Sequence, residues 1–234
     1  MYAISLTSIP PRFDKLEPVL RSLLAQRPAP ERVILALPRN YARFPGPVTP
    51  PALPEGVEIL RSDADLGPAT KALPAARALA GRLDRLIWCD DDWIAGPGWA
   101  RALLDGAGPN DAATGQGFSV ARLKRLGGTT ADGHADIAQG FSGVMVDPAW
   151  LAGPDTDPPD AAWPVDDIWL SGLLAHRGIA VRTRPKARGA LRPAYADAHA
   201  LQAARIGGFD RHAANAACLD ALTERFGIWP NARN

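Results

Sequence analysis

Only two cysteines, Cys89 and Cys218, occur in 234 residues. They form no CxxC pair, so neither a zinc site nor a disulfide framework is expected. Cys89 lies in an apolar run, where a thiol is normally buried and inert. An excess of either charge is also missing: 26 Lys and Arg stand against 25 Asp and Glu, a net charge of +1. A chain so balanced has no global field to draw it onto nucleic acid or an anionic membrane, though a local patch stays open. No uninterrupted apolar stretch approaches the ~18 residues of a membrane-spanning helix. The opening Met1-Tyr-Ala-Ile-Ser-Leu-Thr7 lacks the basic start and long apolar region of a signal peptide. The expected location is therefore a reducing, cytosolic compartment. No GxxxxGK[ST], HExxH or GxSxG occurs, so P-loop, zinc-peptidase and α/β-hydrolase chemistries lose their main support. Lysine is scarce, with Lys15, Lys71, Lys124 and Lys186 the whole set.

What is present describes a folded α/β chain. Apolar residues make up 47% and charged residues 22%, ordinary for a soluble domain. A chain of this length buries roughly 70% of its unfolded surface without help from disulfides or metal. Residues 2–7, 32–37, 57–60 and 86–89 are short β-type runs. Phe13, Leu16, Val19, Leu20, Leu23 and Leu24 recur at helical spacing between the first two. Apolar strands flanking an amphipathic helix read as a βαβ unit, hence a largely parallel sheet covered on both faces. A second helix is expected from about Thr70 or Lys71 to Leu83, since Pro74 is tolerable only in a first turn. A third spans Trp99 to Leu104. Beyond residue 110 the pattern weakens: a strand at 143–146, a proline-rich loop at 154–164, a helix opening at Asp166, a last strand at 179–182 and a helical, irregular C-terminal part.

Three clusters carry possible chemistry. Trp88-Cys89-Asp90-Asp91-Asp92-Trp93 puts three carboxylates at the C-terminal end of an apolar strand, the edge where open parallel sheets bind ligands. Alternation along an extended segment sends Asp90 and Asp92 to one side and Asp91 to the other. Two carboxylates so close repel unless a cation lies between them, and Mg²⁺ or Mn²⁺ meets that need. The alternative is a solvated acidic turn. Asp65-Leu-Gly-Pro-Ala-Thr-Lys71 is a turn into a helix start. Its free backbone N–H groups and Lys71 suit a phosphate, or make a plain turn with a surface lysine. In Val165-Asp166-Asp167-Ile168 one acid serves either as a helix cap or as a general base. His199 is a metal ligand, a phosphate contact or an ordinary surface histidine.

Taken in order, Ile4-Ser-Leu-Thr-Ser-Ile-Pro-Pro-Arg-Phe13, Asp65–Lys71, Cys89-Asp-Asp-Asp92, Gln139-Gly-Phe-Ser-Gly-Val144 and Val165-Asp-Asp-Ile-Trp-Leu-Ser-Gly172 resemble bacterial GT-A-type glycosyltransferases related to the large inverting nucleotide-sugar family. The resemblance covers residue 1 to about 180 and thins beyond. It implies a single-domain GT-A-like, Rossmann-type fold with a mostly parallel central sheet flanked by helices. Residues 1–110 form the nucleotide-binding half and 111–234 the acceptor-side half. Thr7, Arg12, Asp65, Lys71, Asp90 and Asp91 would bind the nucleotide-diphosphate donor. Asp90 and Asp92, with His199, would hold Mn²⁺ or Mg²⁺. Gln139, Gly140 and Phe141 would border the sugar and a carbohydrate or glycolipid acceptor. Asp167 would be the base, with Asp166 as the alternative, because the usual Glu-Asp of this motif is Asp-Asp here. Polysaccharide or glycoconjugate synthesis, in the cytoplasm or at the inner membrane's face, follows from the family. A metal-dependent nucleotidyl or phosphoryl transferase and an inactive nucleotide-sugar-binding module are the rival readings. Thr7-Ser-Ile-Pro-Pro-Arg12 lacks the Gly-rich basic loop expected of the first. The intact acids at 90–92 and 166–167 weigh against the second.

Overall fold

The computed structural model describes residues 1–129, 131–195 and 210–232. The first half alternates strands and helices: β1 (Tyr2–Thr7), α1 (Glu17–Leu24), β2 (Arg32–Pro38), β3 (Val57–Ser62), α2 (Leu73–Leu79), β4 (Arg85–Cys89), β5 (Trp93–Ala95) and α3 (Trp99–Leu104). The second half uses shorter pieces: β6 (Ala112–Thr114), β7 (Gly117–Phe118), β8 (His134–Ala135), β9 (Ile137–Ala138), β10 (Val144–Val146), α4 (Asp166–His176), β11 (Val181–Thr183), α5 (Pro185–Gly189), β12 (Leu191–Pro193) and α6 (Arg211–Phe226).

Eight strands form one sheet in the order β3-β2-β1-β4-β10-β6-β11-β8. Four of its pairings are parallel and three antiparallel. β1 is central and almost wholly buried, as its apolar sequence demands of a strand with both faces covered. Alternate side chains feed two cores. Ala3, Ile34, Leu86, Trp88 and Val144 pack against α2, α4 and α6 through Leu73, Trp169 and Leu222. Ile4, Leu35, Ile87, Cys89 and Met145 pack against α1, α3 and α5 through Leu20, Trp99 and Ala187. The result is the expected helix–sheet–helix layering.

The sequence reading needs three corrections. The first helix begins at Glu17, not Phe13: Pro10–Lys15 is a 3-10 turn, and Pro18 stands in the helix's first turn, where its missing N–H costs nothing. Gly67–Lys71 is likewise a 3-10 turn. Pro74 opens α2 just beyond it, and the helix stops at Leu79 ahead of the left-handed Gly81. The strand expected at 179–182 runs from Val181 to Thr183 and is followed by α5 and β12, so it is not the last.

Register explains where the site forms. Leu6 pairs with Cys89 and Thr7 with Ala36, so the loops after β1, β2 and β4 leave the same sheet edge. β10 runs opposite to β4, with Val144 beside Trp88, so residues 139–143 before β10 arrive at that edge too. β6 is antiparallel to β10, with Val144 beside Thr114. β11 is parallel to β6, with Thr183 beside Thr114. Gln116 and Arg188 therefore emerge there as well. Segments distant in sequence meet because the sheet reverses direction beyond β4.

Candidate active site

A cleft of about 530 Å³ opens along this edge. Every donor-side and acid residue expected from the sequence and described here lines it: Thr7, Arg12, Asp65, Lys71, Asp90, Asp91, Asp92, Asp166 and Asp167, together with Gln139 and Phe141. Gly140, between the last two in sequence, is buried and is not itself among the lining residues. His199 lies outside the described residues.

Lys71 is the hub. Its Nζ lies 2.5 Å from Asp90 Oδ1, 2.8 Å from Asp166 Oδ2 and 4.0 Å from Asp167 Oδ1. Its side chain is only 4% exposed. Burial alone would lower the ammonium, but Asp166, Asp90 and Asp167 together hold it well above the usual lysine range. This corrects the alternative reading of a surface lysine: Lys71 is buried yet lines the cleft. Its charge meets three carboxylates because α4 packs over the 67–71 turn and brings Asp166 onto it. Gly140 is required by the same packing, since a Cβ there would collide with Lys71 Nζ and crowd Asp167 Oδ1.

Asp166 and Asp167 occupy the first turn of α4, yet neither caps it. The N-cap is Val165, with no side-chain cap bond. Asp166 is 8% exposed and turned to Lys71. Asp167 is 22% exposed and accepts a 2.9 Å hydrogen bond from the Gly140 N–H. Burial and then the adjacent Asp166 carboxylate push Asp167 from its usual 3.8 up to about 7, against the pull of Lys71. One ammonium cannot neutralise three carboxylates, and Asp167 is the one whose carboxyl is raised.

Asp91 turns the other way, as strand alternation predicts. It is buried and takes hydrogen bonds from Ser8 Oγ at 2.5 Å and from an Arg12 guanidinium nitrogen at 2.6 Å. Burial raises its carboxyl in spite of both partners. Asp91 thereby ties the loop after β1 to the end of β4, each of its two oxygens taking a hydrogen bond within the protein at the cleft's lining. Asp65 also acts on backbone, accepting from Gly67 N at 2.9 Å and Ala42 N at 2.7 Å. It holds the Gly67 turn, left-handed at φ 60°, against the 41–44 loop. Thr7 Oγ1 donates to Ala36 O at 2.7 Å.

Several lining residues were not picked out from the sequence. At the end beyond β1 and β2 these are Tyr41, Arg43, Phe44 and Trp163; at the other end Trp93, Gln116 and Arg188; and near α4, Arg211. Trp93 carried a signal, being next to Asp92 at a strand end. Arg188 carried none, since it follows a three-residue strand with no readable period.

The carboxylates fit a divalent cation only in part. Asp90 and Asp92 both border the cleft, but Lys71 already holds one Asp90 oxygen. Among the described residues no group of three His, Cys, Asp or Glu side chains that could hold a metal occurs. A hard ion wanting about six oxygens is under-supplied by two carboxylates. The pair therefore suits an ion that arrives with oxygens of its own, as on a diphosphate, and not a resident metal.

No family profile matches the sequence, and no curated protein matches it. Solved structures give loose likenesses. A galactosyltransferase, LgtC, in complex with donor and acceptor sugar analogs is 14% identical, with a TM-score of 0.47 over 78% of this chain and 73% of that one. An active-site mutant of LgtC is 12% identical at a TM-score of 0.46, over 78% and 72%. HddC from Yersinia pseudotuberculosis is 13% identical at a TM-score of 0.37, over 65% and 79%. Likenesses at this level leave the chemistry to be argued from the site itself.

Proposed function

We propose that this chain is a glycosyltransferase that moves a sugar from a nucleotide-diphosphate donor to a hydroxyl of a carbohydrate or glycolipid acceptor, with inversion. The observation that carries the proposal is Asp167: a half-buried carboxyl at a cleft wall, oriented by the Gly140 N–H and pushed up to about 7. A general base is most effective when its pKa lies near the working pH. Asp166 is the poorer base because its Oδ2 faces the Lys71 ammonium at 2.8 Å.

Asp167 would take the proton from the acceptor hydroxyl as that oxygen bonds to the anomeric carbon and the bond to the diphosphate oxygen breaks. One such base suffices for inversion, and no covalent sugar–enzyme bond is needed. Lys71 holds Asp90 and Asp166 in place. Asp91, through Ser8 and Arg12, holds the loop that would border the nucleotide. Asp90 and Asp92 would hold Mn²⁺ or Mg²⁺ brought on the donor, whose charge offsets that of the departing diphosphate. A glycolipid acceptor would place the chain at a membrane face; no helix among the described residues is long and apolar enough to cross one. Synthesis of bacterial polysaccharide or glycoconjugate is the setting such a transfer serves.

Asp167→Asn tests this. Loss of a general base lowers turnover by about 10² to 10⁴ while substrate binding persists. The variant should fold, bind nucleotide sugar as wild type does and fail to transfer; full transfer would refute the assignment. The anomeric configuration of the product, read by NMR, tests inversion.

A further inference from the structure

Beside Asp167, whose Oδ1 is held by the N–H of the buried Gly140, the cleft wall is also lined by Phe141, Trp93 and Arg188. The Arg188 guanidinium lies 4.7 Å from the Trp93 ring centre and 5.1 Å from that of Phe141. The two rings are 5.2 Å apart, tilted by 40°. Arg188 Nε donates to Gln116 Oε1 at 3.3 Å, and Gln116 Nε2 donates to Gln139 Oε1 at 3.2 Å. Among the described residues Arg188 has no carboxylate partner, whereas Arg12 and Lys71 in the same cleft both have one. Pairing of β5 with β12 puts Ala95, not Trp93, beside the start of β12 that follows α5, with Ala95 opposite Leu191 and Trp93 opposite Pro193; it is the Arg188 side chain that reaches the Trp93 ring.

We infer that this wall is the acceptor subsite and that it selects an anionic sugar, its ring against Trp93 and Phe141 and its carboxylate or phosphate on Arg188. The inference rests on the glycosyltransferase reading, which makes the surface next to the base the acceptor side. Aromatic rings present a flat apolar face to the C–H side of a pyranose, and two amides offer donors and acceptors for its hydroxyls. A guanidinium stacked on rings is pre-organised for a planar or tetrahedral oxyanion. Asp90, Asp92, Asp166 and Asp167 repel an anion elsewhere in the cleft. On this wall an acidic acceptor is then accommodated with its charge at Arg188, and this fixes which hydroxyl faces Asp167; the cleft's other arginines without a carboxylate partner among the described residues, Arg43 and Arg211, lie beyond β1 and β2 and near α4.

The test titrates the full chain with matched methyl glycosides and methyl uronides of the gluco, galacto and manno series, and with the sugar 6-phosphates. Binding is followed by tryptophan fluorescence and saturation-transfer NMR. At least one acidic sugar should bind about tenfold or more tightly than its neutral partner, the size of one charge-assisted hydrogen bond. Uronide against phosphate identifies which oxyanion is taken. Arg188→Gln should abolish the preference and Arg188→Lys keep part of it, with nucleoside-diphosphate affinity held in both. Equal binding of acid and neutral sugars, no binding of any acidic sugar, or loss of nucleoside-diphosphate affinity in Arg188→Gln would each overturn the inference. Release of nucleoside diphosphate from nucleotide sugars by the same wild-type sample reads the glycosyltransferase proposal separately.

Discussion

Lys71→Met separates a lysine that organises the site from one that reaches out to substrate. Methionine keeps most of the side-chain volume but removes the ammonium from between Asp90, Asp166 and Asp167. Asp90 is 35% exposed and recovers much of its hydration, so it contributes little to the loss. Asp166 at 8% exposed and Asp167 at 22% cannot. Breaking a buried ion pair by removing one partner costs about 3–5 kcal/mol, because the other charge stays buried. For a chain of this size that corresponds to a fall in Tm of roughly 6–20 °C. The carboxylates can escape the penalty by taking up protons. Asp167, already raised by burial and by Asp166, loses the opposing pull of Lys71 and rises further above its unfolded value, so the folded form holds more protons and its stability falls as pH rises. The Tm deficit against wild type should be larger at about pH 8 than at about pH 5. Thermal unfolding followed by circular dichroism at both pH values measures it. A variant as stable as wild type at the higher pH, or a deficit equal at both, would refute the buried-hub account and return Lys71 to the surface.

Asp167 in the wild type should give transfer that rises with pH through about 7, as the base loses its proton, measured as kcat/KM against pH. Its stabilisation runs the opposite way: with a folded value near 7 and an ordinary value of 3.8, the contribution is complete below the lower value and lost as pH rises through the upper one, seen in Tm against pH for wild type and Asp167→Asn. Arg12→Ala strands the buried Asp91 and should cost about 3–5 kcal/mol in urea unfolding. Gly140→Ala should displace Lys71 and Asp167 and lower turnover more than donor binding, read from kcat and nucleotide Kd. Asp92→Asn should weaken Mn²⁺-dependent nucleotide binding and leave metal-free binding unchanged, measured by calorimetry with and without the ion.

Strands buried on both faces were readable because their side chains are apolar throughout: residues 2–7 and 86–89 are the centre of the sheet. The acids that follow residues 86–89 were readable as cleft residues because the end of a buried strand marks the sheet edge, and all three line the cleft. α4 was found from its opening acids and not from periodicity. It packs between the sheet and α6 with eight of its eleven residues buried, so no polar stripe marks its faces. Strands of two or three residues, such as β6 to β9, are too short to show alternation, and with them the sheet reversal that delivers Gln116 and Arg188 was hidden. The burial of Lys71 was hidden for another reason. A lone lysine reads as exposed, and only the packing of α4 on the 67–71 turn supplies the carboxylates that let it be buried while charged. Asp65 and Asp91 were found as cleft residues, but their bonds to backbone and to Arg12 depend on loops whose paths no local pattern sets.

The central claim is that this cleft splits a nucleotide sugar at the bond between the sugar and the diphosphate. The most direct measurement is incubation of the full chain with a panel of nucleotide sugars, with and without Mn²⁺, and chromatography of the nucleotide released. The account predicts nucleoside diphosphate from at least one donor, more of it with a sugar acceptor present, and none from Asp167→Asn under the same acceptor-dependent conditions. Release of pyrophosphate or of nucleoside monophosphate, or no turnover of any donor, would contradict it.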